Sequence, residues 1–264
     1  MSGLAYDREA SARLERAYTT ADVQEQRDAV RRSLEARSGE TILDLGSGPG
    51  ILACELAAEI GPNGRVMAVD ISPEMNAMAS RRVAEAGLND RIEIVQSDVG
   101  RLDFPDASFD AAVSTQVVEY VADVDSVLKE LRRVLRPDGR VVLLDTDWDT
   151  LVWSARDDAL NDRILAVWRD HAPHPSLPRT LGPQLRACGF EVGEVFALTL
   201  LNTSYSADTY SYHLARLIAD FVRSKHSVAE DELATWLADL AALNEDGAYF
   251  LSLNRYGFSA TRLP

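Results

Sequence analysis

Cysteine is nearly absent: Cys54 and Cys188 are the only two in 264 residues. They lie far apart and show no metal-type spacing, which argues against a disulfide framework or a thiolate metal centre and predicts two buried apolar side chains in a reducing compartment. Basic residues are also short, 27 Lys and Arg against 42 Asp and Glu, and the resulting charge of −15 would repel a phosphate backbone. No Lys/Arg cluster offsets that charge locally, so no nucleic-acid partner is expected. No apolar run approaches the length of a membrane span. The early residues Asp7, Glu9 and Glu15 interrupt any signal-peptide core, so a soluble cytoplasmic protein with no membrane partner is expected. Nor does any repeat or low-complexity linker divide the chain, and its length fits one domain over 1–264.

What the chain does have is the stretch Ile42-Leu43-Asp44-Leu45-Gly46-Ser47-Gly48-Pro49-Gly50. An apolar run breaking into closely spaced glycines reads as a buried strand turning sharply into a helix near Ile51. Its glycines would let a ligand approach the backbone, and its helix start would present unpaired amides. The dinucleotide fingerprint G-x-G-x-x-G needs its third glycine at position 51, where Ile51 stands, so a nicotinamide cofactor is disfavoured.

Around this loop the pattern alternates. Strands are predicted at 41–45, 65–70, 92–96, 109–113 and 140–144, with helices over 51–60, from Pro73 behind a Ser72 cap to about residue 86, and over 123–135. An amphipathic segment at 1–38 precedes them, with Leu14, Tyr18, Val23, Val30 and Leu34 on its apolar side and Tyr6 and Tyr18 as candidate ligand contacts. Alternating strands and helices predict right-handed crossovers and a parallel, doubly wound α/β sheet whose ligands gather at the strands' carboxyl ends. Those ends carry Asp44, Asp70, Asp98, Ser114-Thr115-Gln116 and Asp145-Thr146-Asp147. Any one acid there could simply cap a helix; the repetition behind a glycine loop points to a binding site.

The spacing Asp-x-Gly-x-Gly-x-Gly resembles motif I of the class I S-adenosylmethionine (SAM) dependent methyltransferases. Asp70 matches that family's ribose-binding acid and Ser97-Asp98 its adenine-binding acid. Phe109-Asp110-Ala111-Ala112-Val113-Ser114 through Glu119-Tyr120 matches motif IV, and Leu135 through Arg140 the turn before strand five. The resemblance covers roughly residues 40–145 and is strongest to the UbiE-like branch (methyltransferase type 11). Motif IV of that branch often carries a histidine where this chain has Val118-Glu119. The resemblance implies a Rossmann-like sheet of seven strands with the last strand antiparallel between the fifth and sixth. It also implies SAM as cofactor, S-adenosylhomocysteine as product, and contacts from Asp44, Gly46, Ser47, Gly48, Gly50, Asp70, Ile71, Ser97, Asp98, Val99, Ser114 and Gln116.

Beyond residue 145, Ser154 is the expected cap of a helix through Trp168. A crossover helix at 181–187, a strand at 189–200, helices at 207–224 and 228–243, and a strand at 249–260 follow. A short hairpin would suffice between the last two strands, so segments 206–243 and 148–178 are expected to form a helical lid, with Trp148, Trp153, Tyr205, Tyr210 and Tyr212 on it. The expected reaction is methyl transfer from SAM to an O, N or C nucleophile of a small-molecule substrate. If the nucleophile starts protonated, His213 is the leading general base, with Tyr210 and Asp147 as further catalytic candidates and His171 and His174 weaker. Asp145, Asp147 and Asp149 alternate in a way that could gather on a divalent cation, but a solvated rim fits them better and no metal is expected. The rival reading is a noncatalytic SAM-binding protein of the same fold.

Overall fold

The computed structural model describes residues 15–264; Tyr6 and Leu14 lie outside them. Helix α1 (Ala21–Leu34) leads into β1 (Thr41–Leu45), α2 (Ile51–Ile60), β2 (Arg65–Asp70), α3 (Pro73–Glu85), β3 (Ile92–Gln96) and β4 (Phe109–Thr115). There follow α4 (Val124–Val134), β5 (Leu135–Trp153), α5 (Asp158–Trp168), α6 (Pro178–Ala187), β6 (Phe190–Asn202), α7 (Tyr210–Ser224), α8 (Glu230–Glu245) and β7 (Leu251–Arg262). The strands form one sheet in the order β3-β2-β1-β4-β5-β7-β6, with β1 to β5 parallel and β7 antiparallel to both its neighbours. This is the Rossmann-like seven-stranded arrangement the alternation predicts. The strand order reverses between β1 and β4, which opens a crevice above their carboxyl ends.

The sheet is buried on both faces because its strands alternate between two apolar layers. Leu43, Leu45, Ala112 and Leu143 meet α4 and α6 on one face, while Ile42, Ala111, Val113 and Val142 meet α1 and α2 on the other. Local chemistry sets the helix starts. Ser72 Oγ accepts from the Met75 amide at 3.2 Å with Pro73 as first helical residue, and Asp123 Oδ1 accepts from Ser126 at 3.1 Å to open α4. Along α4, Val124, Val127, Leu128, Leu131 and Val134 recur at helical spacing and form its buried stripe.

Three expectations need correction. β5 does not stop at Leu144: it runs to Trp153, paired with β7 alone beyond that point, because the Val117 amide, the Glu119 carboxyl and Arg179 take up the polar groups of Asp145, Thr146 and Asp147. The cap of α5 is Asp157, whose Oδ1 accepts from Leu160 at 2.9 Å, and not Ser154, whose own amide donates to Phe250. Neither cysteine is fully buried, and the Cys188 thiol donates to Asp125 at 3.3 Å. The extended ends of β5, β7 and β6 form an antiparallel wing. On it α5, α7 and α8 build a separate aromatic core with Trp148, Trp153, Trp168, Phe221 and Trp236.

Candidate functional site

A cavity of about 690 Å³ opens at the carboxyl ends of β1, β2 and β4, within the size range of small-ligand sites. Its near end is the glycine loop. Gly46, Gly48 and Gly50 all have positive φ, but they serve different ends. A Cβ on Gly46 would strike the Val117 side chain at 2.1 Å and one on Gly50 the Ala79 Cβ at 2.9 Å, so these two permit close packing of the protein on itself. A Cβ on Gly48 meets only the Tyr18 ring, at 3.8 Å. Gly48 is therefore the bare surface a ligand can lie against.

Four amides of the loop itself are taken up within the protein. Gly46 and Ser47 both donate to the Val69 carbonyl at 2.7 and 2.9 Å, Gly50 donates to Ser47, and Gly48 donates to Asp70 Oδ2 at 2.9 Å. What the loop offers instead is the Ser47 hydroxyl, which has no partner among the described residues. Asp70 bridges this loop to the next: its Oδ1 accepts from the Ser72 amide at 2.8 Å. A carboxylate has about four lone-pair positions, so beside the Gly48, Ser72 and Ile71 amides capacity remains for a ligand's hydroxyl. Burial raises the Asp70 carboxyl above its ordinary range and the Ser72 and Gly48 amides work against that shift. Asp44 lies behind the loop and does not line the cavity. Burial, with the charges of Asp70 and Glu55, pushes its carboxyl up to about 7.

Ile71, 57 % exposed, and Val99 give the cavity an apolar mouth beside Asp98, whose Oδ1 accepts from Gly100 at 2.8 Å. Gln116 also lines it, at φ +59°, its Oε1 accepting from the Thr146 hydroxyl at 2.7 Å. Gly46, Ser47, Gly48, Asp70, Ile71, Asp98, Val99 and Gln116 thus come together around one space. Asp44, Gly50, Ser97 and Ser114 do not. Ser114 Oγ instead donates to the Leu45 carbonyl at 3.1 Å, tying β4 to β1, and Ser97 Oγ donates to Arg101.

None of the three catalytic candidates borders the cavity. His213 is buried with Nε2 2.8 Å from the Ala207 carbonyl, a bond that pins the start of α7. Asp147 is paired through both oxygens with Arg179, at 2.7 and 3.0 Å, and Asp149 joins Arg179 and Arg169; these carboxylates are neutralised by arginines and do not converge. Tyr210 lies under the Arg255 guanidinium, 4.6 Å from ring centre to Cζ. Neither proposed lid segment lines the cavity. Its cover comes from Tyr18 and from Val23, Gln26 and Arg27 on α1.

Behind the wall formed by Gln116, Val117 and Tyr120 sit two buried carboxyls that sequence reasoning did not single out as a pair. Asp145 Oδ1 accepts from the Val117 and Glu119 amides at 3.1 and 3.2 Å, and Glu119 Oε2 accepts from Thr146 at 2.9 Å. Burial and then the Asp145 charge hold the Glu119 carboxyl well above the usual range, and the Thr146 amide and the Arg255 charge work against that shift. Arg255 on β7 was also missed. The signal was present: Leu251, Leu253 and Gly257 share its face of the strand, so an arginine interrupts a buried row.

The geometry agrees with comparison to known proteins. A methyltransferase domain family matches residues 43–143. An uncharacterized 37.1 kDa protein in transposon TN4556 of Streptomyces fradiae is 39% identical over 261 residues, which cover 95% of this chain and 71% of that protein. The ubiquinone/menaquinone biosynthesis C-methyltransferase UbiE of Hahella chejuensis is 37% identical over 109 residues, 41% of this chain and 44% of the relative, so the chain matches less than half the length of that enzyme. Among solved structures, a phosphoethanolamine N-methyltransferase 2 of Haemonchus contortus in complex with SAM has a TM-score of 0.64 at 19% identity, over 98% of this chain and 58% of that one. The glycine loop, the Asp70 bridge, the strand order and the matched family together place the chain among the class I SAM-dependent methyltransferases, in the UbiE-like branch.

Proposed function

We propose that this protein transfers the methyl group of SAM to a small organic acceptor held in the far end of the same cavity. The observation that carries the reading is that one cavity is lined both by Ser47, Gly48 and Asp70 and by Gln116, Tyr120 and Arg255. Asp70 would accept from the ribose with its remaining lone-pair capacity, Ile71 and Val99 would enclose the adenine beside Asp98, and the methionine part would lie along Gly48 and the Ser47 hydroxyl. Bound SAM supplies a sulfonium-activated methyl group, so the chain's own task is to align the nucleophile and exclude water. Tyr18 and α1 do the covering. The net charge of −15 supports a small acceptor over a nucleic acid.

Titration calorimetry with S-adenosylhomocysteine and with NADH tests the cofactor end, and release of S-adenosylhomocysteine across a panel of small acceptors tests turnover. Tight S-adenosylhomocysteine binding without turnover on any acceptor would favour the noncatalytic reading; NADH binding in its place would overturn both.

A further inference from the structure

Arg255 is 2 % exposed, yet it borders the cavity. Its Nη1 donates to Gln26 Oε1 on α1, its guanidinium rests over the Tyr210 ring, and its Nε has no partner. Among the described residues no carboxylate forms an ion pair with it. Asp145 spends one oxygen on two backbone amides and Glu119 one on the Thr146 amide, and the Arg255 charge favours the ionised form of both against the burial that raises them. A buried guanidinium ordinarily has a carboxylate partner, because an unpaired charge away from water is costly. Here the direct contacts are a neutral amide and an aromatic face, and Glu119 and Asp145 act on the charge without forming an ion pair with it. It lines the same cavity as Asp70 and Gln116.

We propose that Arg255 binds an anionic oxygen of the methyl acceptor, so that the acceptor is an organic acid presenting a carboxylate or an equivalent planar oxyanion. This deepens the methyltransferase reading and rests on it. The guanidinium fork matches a planar carboxylate and a charge-assisted pair is the strong form of the bond. Tyr18 and Tyr120 on the same cavity suit a ring-bearing acid. Arg27, also on the cavity, does not compete for the anion: its Nε is held by Glu55 at 3.0 Å, its Nη1 donates to the Tyr18 carbonyl and its Nη2 to Gln24.

The test uses the full chain saturated with S-adenosylhomocysteine and matched probes: benzoate with benzamide, phenylacetate with phenylacetamide, and cinnamate with cinnamamide. Calorimetry should show at least one acid bound about tenfold or more tightly than its amide. That preference should vanish in Arg255→Gln and survive in part in Arg255→Lys, while S-adenosylhomocysteine affinity stays at the parent value in both. No acid preference in the parent overturns the proposal, as does a preference that persists in Arg255→Gln. Loss of S-adenosylhomocysteine binding in Arg255→Lys also overturns it, by assigning the arginine to the cofactor. If Arg255→Gln fails to fold, the parent's acid preference and the Lys variant still decide. Failure of the parent to bind S-adenosylhomocysteine at all would instead sink the methyltransferase reading itself.

Discussion

Replacing Asp70 by alanine separates two roles that the structure superposes on one carboxylate. In the unliganded protein Asp70 accepts from Gly48 at 2.9 Å and from Ser72 at 2.8 Å, so it braces the glycine loop against the start of α3 before any cofactor arrives. If its remaining lone-pair capacity then accepts from the ribose, the loss should weaken S-adenosylhomocysteine binding by about 1.5–3 kcal/mol, roughly 10- to 150-fold, the range for hydrogen bonds to a charged group. The brace carries a separate cost. Two amides lose their acceptor at a partly buried site, which should lower stability by about 1–3 kcal/mol. Urea melts followed by calorimetric titration at matched folded fraction read the two effects independently. A variant that melts early but binds S-adenosylhomocysteine within about twofold of the parent would refute the ribose assignment and leave Asp70 as a loop brace alone.

Three further outcomes are expected. His213→Gln should keep full turnover and its pH profile, losing about 1 kcal/mol in a urea melt for the Ala207 bond; a loss of turnover of about tenfold or more at matched folded fraction would return His213 to the chemistry. Deleting residues 206–243 should abolish folding, because Leu214, Ile218, Phe221, Leu233 and Trp236 complete the aromatic core, and a folded, active deletion variant would refute that packing argument. Burial against Trp148, Trp168 and Phe221 lowers His171 to about 4, so between pH 6.5 and 4 the unfolded chain takes up a proton that the folded one refuses, and stability is lost on acidification. That loss is roughly 2.5 kcal/mol by pH 4.5, and paired melts at pH 7.5 and 4.5 should find it in the parent and not in His171→Phe; equal acid sensitivity in the two would show that the ring titrates normally.

The cofactor end of the site was legible because it is local in sequence. Strands at 41–45, 65–70 and 92–96 and the helix at 51–60 have the bounds their patterns predict, since each is an apolar run closed by glycine, a turn or a cap. Asp70 and Asp98 follow from the ends of those strands. The role of each glycine was not legible: one motif holds Gly48 open toward the ligand and Gly46 and Gly50 closed against Val117 and Ala79, a distinction made by side chains 29 or more residues away. The same limit misplaced the end of β5. Asp145, Thr146 and Asp147 read as a polar loop, and only the Val117 and Glu119 amides and Arg179 make a buried strand of them. His213 read as a base for the opposite reason: nothing in its neighbourhood in sequence shows that the Ala207 carbonyl, six residues back, meets its ring.

The Arg255 side of the cavity is assembled by the antiparallel insertion of β7, and this explains both its invisibility and its sensitivity. Arg255 stands opposite Thr146 of β5 and Leu198 of β6, so its direction is fixed by two registers at once. A slip of one residue would turn it to the other face of the sheet and bring Asn254 or Tyr256 into its place. Its companions arrive from α1, α7 and the turn after β4, as Gln26, Tyr210 and Gln116. No short motif can encode such a convergence. The register nevertheless holds a buried cation in a row with Leu251, Leu253 and Gly257, where an apolar side chain would pack at less cost. Glu119 and Asp145 offset part of that cost without pairing directly with the guanidinium, and an anionic ligand in the cavity would supply the direct partner.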